Sequence, residues 1–387
     1  MKREGKSDMA GLNETPSSQR LKIAFFGLRN AGKSTLVNAF TGQSAAIVSD
    51  IPGTTTDPVS KAMEIAPLGP CVIIDTAGLD DDAGELGALR VRRSLDVLST
   101  TDVAVWVDAG NGVESPYYKE FISECRSRSI VVLEYKRGDS VEELKHKIST
   151  LRPVVSVTTL LDGLVDKGDK VLCVCPIDAA APKGRLILPQ VQLIRECLDR
   201  HLMCSLCQVE ELSDTLKSLS SDILVVTDSQ AFRRVSAALR AFNGERVRLT
   251  SFSVLFARRQ GVFDICRECL HKLGELKDGD LVVVAEGCSH HRQCDDIGSV
   301  KIPAALKALT GKNLEFSFSS GREFNLFHDG RKAALAVHCG GCMLTRRETL
   351  RRFEICREAG VPVVNYGMLL AVAGGLTEIG PDGLVSF

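Results

Sequence analysis

The chain has 387 residues, 44% of them hydrophobic and 25% charged, with a formal net charge of -1. That length exceeds what one compact core can organise and predicts two or three domains in series. The near-zero balance provides no basic surface of the kind a nucleic-acid backbone requires, so nucleic acid is excluded as the default partner.

Residues 1–20, MKREGKSDMAGLNETPSSQR, are polar, mix both signs of charge and lack the apolar stretch of a signal peptide, so they read as an N-terminal arm. No later apolar run reaches bilayer-spanning length, which predicts a soluble, cytoplasmic protein without a membrane partner. Fourteen cysteines are too dilute for a disulfide scaffold in so long a chain. Cys71, Cys125, Cys173, Cys175, Cys197 and Cys356 lie in apolar stretches, where a buried thiol is the expected reading.

The segment LKIAFFGLRNAGKSTLVNAF reads as an apolar strand, a glycine-rich turn and an amphipathic helix, and Gly27 to Ser34 match G-x-x-x-x-G-K-[ST]. Backbone N–H groups in such a turn cradle phosphate oxygens, Lys33 reaches the β- and γ-phosphates, and the Ser34 hydroxyl is a magnesium ligand. Downstream, GTTTD supplies Thr54 and Thr55, and CVIIDTAG ends a buried strand with Asp75 and Gly78. The expected nucleotide-binding set is Gly27, Asn30, Ala31, Gly32, Lys33, Ser34, Thr35, Thr54, Thr55, Asp75 and Gly78. Within it, Lys33, Thr55, Asp75 and Gly78 are the catalytic candidates, and Ser34 and Thr55 the magnesium ligands.

Together these resemble the first three motifs of translation-factor-type GTPases. Asn30 is similar to the residue that, in the potassium-using branch of tRNA-modification and ribosome-assembly GTPases, holds a monovalent cation beside the phosphates. Leu79 stands where Ras-like proteins carry a water-positioning Gln, which implies slow hydrolysis assisted by a cation or a partner. The base-reading N-K-x-D is missing after SIVVL. The chain continues EYKRGDSVEELKHKI, as though one strand–helix unit were deleted, and leaves Lys136 and Asp139 as substitutes for guanine recognition. A P-loop domain over 21–155, truncated at its C-terminal end, is the expectation.

Past residue 155 the chain repeats itself. GRLILPQ parallels GSVKIPA, and LTSFSVLFA parallels VVNYGMLLA, each 114 positions on; two further pairs follow the same order. Two related α/β units with mainly parallel sheets are expected, over about 160–257 and 270–373. Two CxxC pairs, Cys204/Cys207 and Cys266/Cys269, fall in stretches that read as helices, where the spacing places both residues on one buried face.

The copies differ at their strand ends, where the second carries GCSHH and HCGGC. Cys288, His290, Cys339 and Cys342 offer three thiolates and an imidazole, a set suited to tetrahedral zinc or to a cubane iron–sulfur cluster. Gly287, Gly340 and Gly341 let backbone approach a bulky core and offer N–H groups to its sulfides. His291, His338 and Cys294 are bystanders or alternates.

In order, GLRNAGKS, DTAGLDD, APKGRLILPQVQ, VVTDSQAF, CSHH, IGSVKIP, HCGGCM and NYG resemble the HydF family of [FeFe]-hydrogenase maturation GTPases over nearly the whole chain. The resemblance implies a dimerisation domain at 156–257 and a cluster-binding domain at 258–387. It implies a [4Fe-4S] cluster on Cys288, Cys339 and Cys342 with His290 as an exchangeable fourth ligand, and GTP, magnesium and potassium at the P-loop. The implied role is a homodimeric carrier that receives a diiron precursor made with radical-SAM maturases and delivers it to the apo-hydrogenase. A regulatory GTPase of the tRNA-modification or ribosome-assembly type with a structural zinc site is the competing reading.

Overall fold

A computed structural model describes residues 20–42, 59–66, 69–80, 84–110, 113–151, 159–177, 186–219, 222–242, 247–287, 297–320, 324–341, 344–375 and 380–386. They fall into two compact units, Met1–Ser156 and Val157–Phe387. No helix among them is long and apolar enough to cross a membrane.

The first unit runs β1 (Leu21–Phe26), α1 (Lys33–Thr41), β2 (Val59–Ile65), β3 (Gly69–Asp75), α2 (Gly84–Thr100), β4 (Val103–Asp108), α3 (Pro116–Ser127), β5 (Val131–Lys136) and α4 (Val141–Thr150). Its sheet order is β2-β3-β1-β4-β5, with β2 antiparallel to β3 and the other pairs parallel. Ile23 and Phe25 of β1 meet Leu36 and Phe40 of α1 and Leu144 and Ile148 of α4. On the opposite face, Ala24 and Phe26 meet Leu98 of α2 and Phe121 and Cys125 of α3. Burial on both faces is why these strands read as unbroken apolar runs. Helix starts are fixed locally: the Ser115 hydroxyl accepts from Tyr118 N ahead of Pro116, and Ser140 accepts from Glu143 N. The fifth strand sits beside β4, and no sixth follows in this sheet among the described residues.

In the second unit the first copy runs β6 (Lys170–Val174), α5 (Leu188–Asp199), β7 (Met203–Cys207), α6 (Leu212–Ser218), β8 (Ile223–Thr227), α7 (Phe232–Phe242), β9 (Val247–Ser251) and α8 (Phe252–Gln260). After α9 (Phe263–Leu270), the second runs β10 (Leu281–Glu286), α10 (Ile302–Thr310), β11 (Glu315–Ser320), the hairpin β12 (Phe327–His328) and β13 (Arg331–Lys332), β14 (Leu335–His338), α11 (Arg346–Glu358), β15 (Val363–Asn365) and α12 (Tyr366–Ala373). A last strand, β16 (Val385–Ser386), pairs antiparallel with β9. The sheets share one topology, β9-β8-β6-β7 and β15-β14-β10-β11, every pair parallel. Helix starts at 188 and 302, 232 and 346, and 252 and 366 are each 114 residues apart. The repeat expected from sequence is therefore a repeat of fold.

The copies are interlocked through α8 and α12. Phe252, Leu255 and Phe256 of α8 pack on the first sheet, while Val254 and Ala257 on its other side pack on the second. Reciprocally, Tyr366 and Leu369 of α12 pack on the second sheet and Ala371 on the first. Gly367 lies so close to Ser253 that an added Cβ would sit 1.9 Å from the Ser253 Cβ. Two helices that each pack on both sheets bind the copies into one body. The boundary expected between 257 and 258 falls inside α8, and the C-terminal strand returns to the first sheet.

Candidate nucleotide and cluster sites

The P-loop begins where β1 ends, and its backbone is set by contacts on both sides. Gly27 has φ +154°, and a Cβ there would lie 2.4 Å from the Val107 carbonyl oxygen of β4, so only glycine fits. Asn30 adopts φ +57°, a left-handed conformation that Asn tolerates better than most residues. Gly32, at φ +93°, caps α1, whose first turn is Lys33, Ser34 and Thr35. Ala31 is buried beneath the loop.

β1 and β3 are parallel neighbours with Phe25 opposite Asp75, which brings Asp75 to the loop. Ser34 Oγ donates to Asp75 Oδ2 at 2.5 Å. Asp75 Oδ1 is buried with no hydrogen-bond partner among the described residues. An orphaned carboxylate oxygen beside a hydroxyl is the donor set a magnesium ion takes, and burial is what raises the Asp75 pKa, against Ser34, Lys33, Lys61 and the Thr76 amide. The Lys33 ammonium donates to the Gly27 and Leu28 carbonyls at 3.3 and 2.7 Å. Burial lowers its pKa, while Asp75 and Asp80 pull it back up.

Gly78 is pressed on the loop: a Cβ there would meet Arg29 N at 2.8 Å. Leu79 N donates to the Gly27 carbonyl at 3.2 Å, and the Asp80 carboxylate accepts from Arg29 N at 2.6 Å. The Leu79 side chain is buried with Phe26, Ile74, Leu98 and Trp106, so it is turned away from any attacking water. The structure thus assembles Gly27, Asn30, Ala31, Gly32, Lys33, Ser34, Thr35, Asp75 and Gly78 in one place; Thr54 and Thr55 lie outside the described residues. Asp80 lies within the DTAGLDD motif, yet nothing in the sequence pointed to its contact with the P-loop. Lys136 and Asp139 sit at the exposed carboxyl end of β5, where Asp139 Oδ2 accepts from Lys136 N at 2.8 Å and is occupied by its own turn.

In the second unit, β10 and β14 are parallel neighbours, with Ala285 opposite His338. Their carboxyl ends therefore bring Gly287 and Cys339 together. Gly287 N donates to Cys339 Sγ at 3.1 Å, and Cys339 N donates to the Ala285 carbonyl. Burial raises the Cys339 pKa; the Gly287 and Gly341 amides and the Arg352 guanidinium favour the thiolate, and Glu286 opposes it. A backbone amide on the sulfur, from Gly287, is the kind of surrounding expected of a cluster thiolate, so Cys339 fits the implied group. Gly341, at φ +65°, is held by Gln260 of α8, whose Nε2 donates to its carbonyl at 2.9 Å. Cys288, His290 and Cys342 lie outside the described residues, as do His291 and Cys294. Among the described residues no group of three or more His, Cys, Asp or Glu side chains is placed to hold a metal.

His338 points into the core between Phe324 and Phe353. Its Nδ1–H donates to the Cys339 carbonyl at 2.8 Å and Arg352 donates to its Nε2 at 3.4 Å, which fixes a neutral ring. Burial, with Arg352 beside it, lowers its pKa to about 4. It supports the cysteine loop from below. Cys204 and Cys207 do not lie on a helix as expected: CSLC is strand β7, and the two side chains join opposite faces of the sheet. Residues three apart in a strand cannot share a metal. Cys266 and Cys269 are helical, in α9, and join different core clusters. Cys71, Cys125, Cys173, Cys197 and Cys356 are buried and Cys175 half-buried.

Comparison with known proteins bears on both units. Residues 22–136 match the family model described as 50S ribosome-binding GTPase, and the first unit is a P-loop GTPase domain. The tRNA modification GTPase MnmE of Moorella thermoacetica is 32% identical over 166 residues, 40% of this chain and 36% of that protein. MnmE of Methylorubrum populi is 40% identical over 111 residues, 28% of this chain and 25% of that protein. The chain thus spans about a third or less of the curated relatives it matches. Among solved structures, Era of Aquifex aeolicus aligns with 77% of this chain and 93% of its own at 18% identity and a TM-score of 0.26. Residues 160–261 match the hydrogen maturase F dimerization domain and residues 264–379 its tetramerization domain. With those two domains side by side over more than half of its length, behind a P-loop GTPase domain, the chain belongs to the hydrogen maturase F (HydF) family.

Proposed function

We propose that the chain is a GTP-hydrolysing scaffold of [FeFe]-hydrogenase maturation. It holds a [4Fe-4S] cluster in its second unit, accepts a diiron precursor from radical-SAM maturases and delivers it to the apo-hydrogenase. The observation that carries this reading is the junction of β10 and β14, where the Gly287 amide meets the Cys339 sulfur at 3.1 Å inside a domain matched by a hydrogen maturase F model. Cys288, Cys339 and Cys342 would hold the cluster, with His290 at its replaceable corner. The cluster, when bound, supplies the site where the precursor is retained. What the chain supplies is a rigid base: His338 and Gln260 fix the carbonyls on either side of the cysteine loop.

In the first unit Lys33 and the loop amides bind the phosphates, Ser34 and Asp75 orient magnesium, and Asn30 helps hold potassium. With Leu79 buried, no side chain from that position orients water, and hydrolysis is slow without a cation or partner. Its role is to bias which partner the second unit meets, a shift of populations rather than chemistry on iron. The matched domains support an oligomer, at least a homodimer. The chain works in the cytoplasm. The MnmE relatives align with the GTPase domain alone, so tRNA modification finds no support in the second unit.

Separating the two sites tests the proposal. Cys339→Ser should abolish iron retention and leave GTP hydrolysis measurable, whereas Lys33→Ala should do the reverse. Loss of both properties in both variants would refute the division of labour.

A further inference from the structure

We infer that the Asp80 carboxylate is a placeholder for the γ-phosphate, held on the P-loop until a nucleoside triphosphate displaces it, and that it sets the preference between triphosphate and diphosphate. This rests on the nucleotide-binding reading above. Asp80 Oδ1 accepts from the main-chain N–H of Arg29 at 2.6 Å, a loop amide within Gly27–Ser34. A carboxylate oxygen on that amide makes the same charge-assisted bond that a phosphate oxygen would make. The same carboxylate acts on the Lys33 ammonium, the group expected to reach the terminal phosphates.

The rest of the segment is clasped to the loop with it. Leu79 N donates to the Gly27 carbonyl at 3.2 Å, and Gly78 lies against Arg29 so closely that a Cβ would come within 2.8 Å of Arg29 N and 3.0 Å of its Cα. Lys33 is meanwhile turned onto the Gly27 and Leu28 carbonyls. A γ-phosphate would bring its own negative charge to the amide and the ammonium that Asp80 already serves. Two anions cannot share them, so triphosphate entry expels Asp80 and lifts residues 78–80 off the loop. A diphosphate, lacking that group, leaves the clasp shut.

Calorimetric titration of the full chain with GDP and with the β,γ-imido analogue of GTP, both with magnesium, tests the inference on wild type, Asp80→Asn and Asp80→Ala. Affinity for the analogue should tighten about three- to tenfold in the Ala variant and less in the Asn variant, which keeps a neutral acceptor. Affinity for GDP, which meets Lys33 only through its β-phosphate, should change much less. Analogue binding that is unchanged or weaker, or GDP binding that tightens equally, overturns the placeholder role. If all three proteins bind neither nucleotide, the nucleotide-binding reading itself fails, a different result from either.

Discussion

Replacing Asp75 by Asn should stabilise the first unit when metal is absent and destabilise it, relative to wild type, when magnesium and GTP are present. Asp75 is 7% exposed, and one of its two oxygens has no hydrogen-bond partner among the described residues. An unsatisfied buried acceptor costs about 1–3 kcal/mol, more if charged. Lys33 and Lys61 offset part of this, so a neutral amide of the same shape should gain about 1–2 kcal/mol, or about 3–6 °C in a unit of this size. Wild type should in turn gain about 2.7 kcal/mol from ligand at a hundredfold excess over its Kd, and the variant little of it. The assay is thermal unfolding followed by fluorescence of Trp106, the single tryptophan, which is buried in the core of the first unit and reports on it selectively. The pH dependence has a definite sign. Burial raises the folded-state pKa of this carboxyl, so ionisation is penalised in full above that value and not at all below the unfolded one. The advantage of Asn should be largest near neutrality and shrink as the pH falls through that window. A variant less stable than wild type without metal, or equally stabilised by magnesium and GTP, would refute the assignment of Asp75 as a destabilised metal ligand.

Two further outcomes are expected. His338, with a folded pKa of about 4 against an ordinary value near 6.5, stays neutral in the native state. Its contribution is complete above pH 6.5 and falls by about 3 kcal/mol as the pH drops to 4; the difference in circular-dichroism unfolding between wild type and His338→Gln should shift accordingly, and a difference independent of pH would contradict it. Because Asp139 is occupied by its own turn, GTP should be favoured over ATP by no more than about tenfold; competition binding that shows a thousandfold preference would mean that this turn opens to read guanine.

Much of the molecule was legible because its chemistry is local in sequence. Gly27, Lys33 and Ser34 are fixed by one loop, and paired stretches 114 residues apart pointed to two related α/β units, whose three helix pairs start at that same spacing. What was hidden depends on contacts distant in the chain. No pattern marks α8 and α12 as helices shared between copies, since an apolar stretch of nine residues does not say which two surfaces it joins. CSLC read as helix because its cysteine spacing fits a helical face; pairing with β6 made it a strand instead. The C-terminal Val385–Ser386 is too short to show strand periodicity and gains its structure from β9. In the second unit, CxH and CxxC named the candidate ligands, yet only the parallel pairing of β10 with β14 brings Gly287 onto the Cys339 sulfur. The aspartate on the Arg29 amide lay within the DTAGLDD motif, but its contact with the P-loop depends on a segment 51 residues away in the chain.

The central claim is that the cysteines at the strand ends of the second copy hold an iron–sulfur cluster. Anaerobic reconstitution of the full chain with iron and sulfide, followed by metal analysis and EPR of the dithionite-reduced protein, tests it most directly. The account predicts a brown protein with the signal of a reduced [4Fe-4S] cluster, lost in Cys339→Ser. A colourless protein carrying one zinc per chain would contradict it.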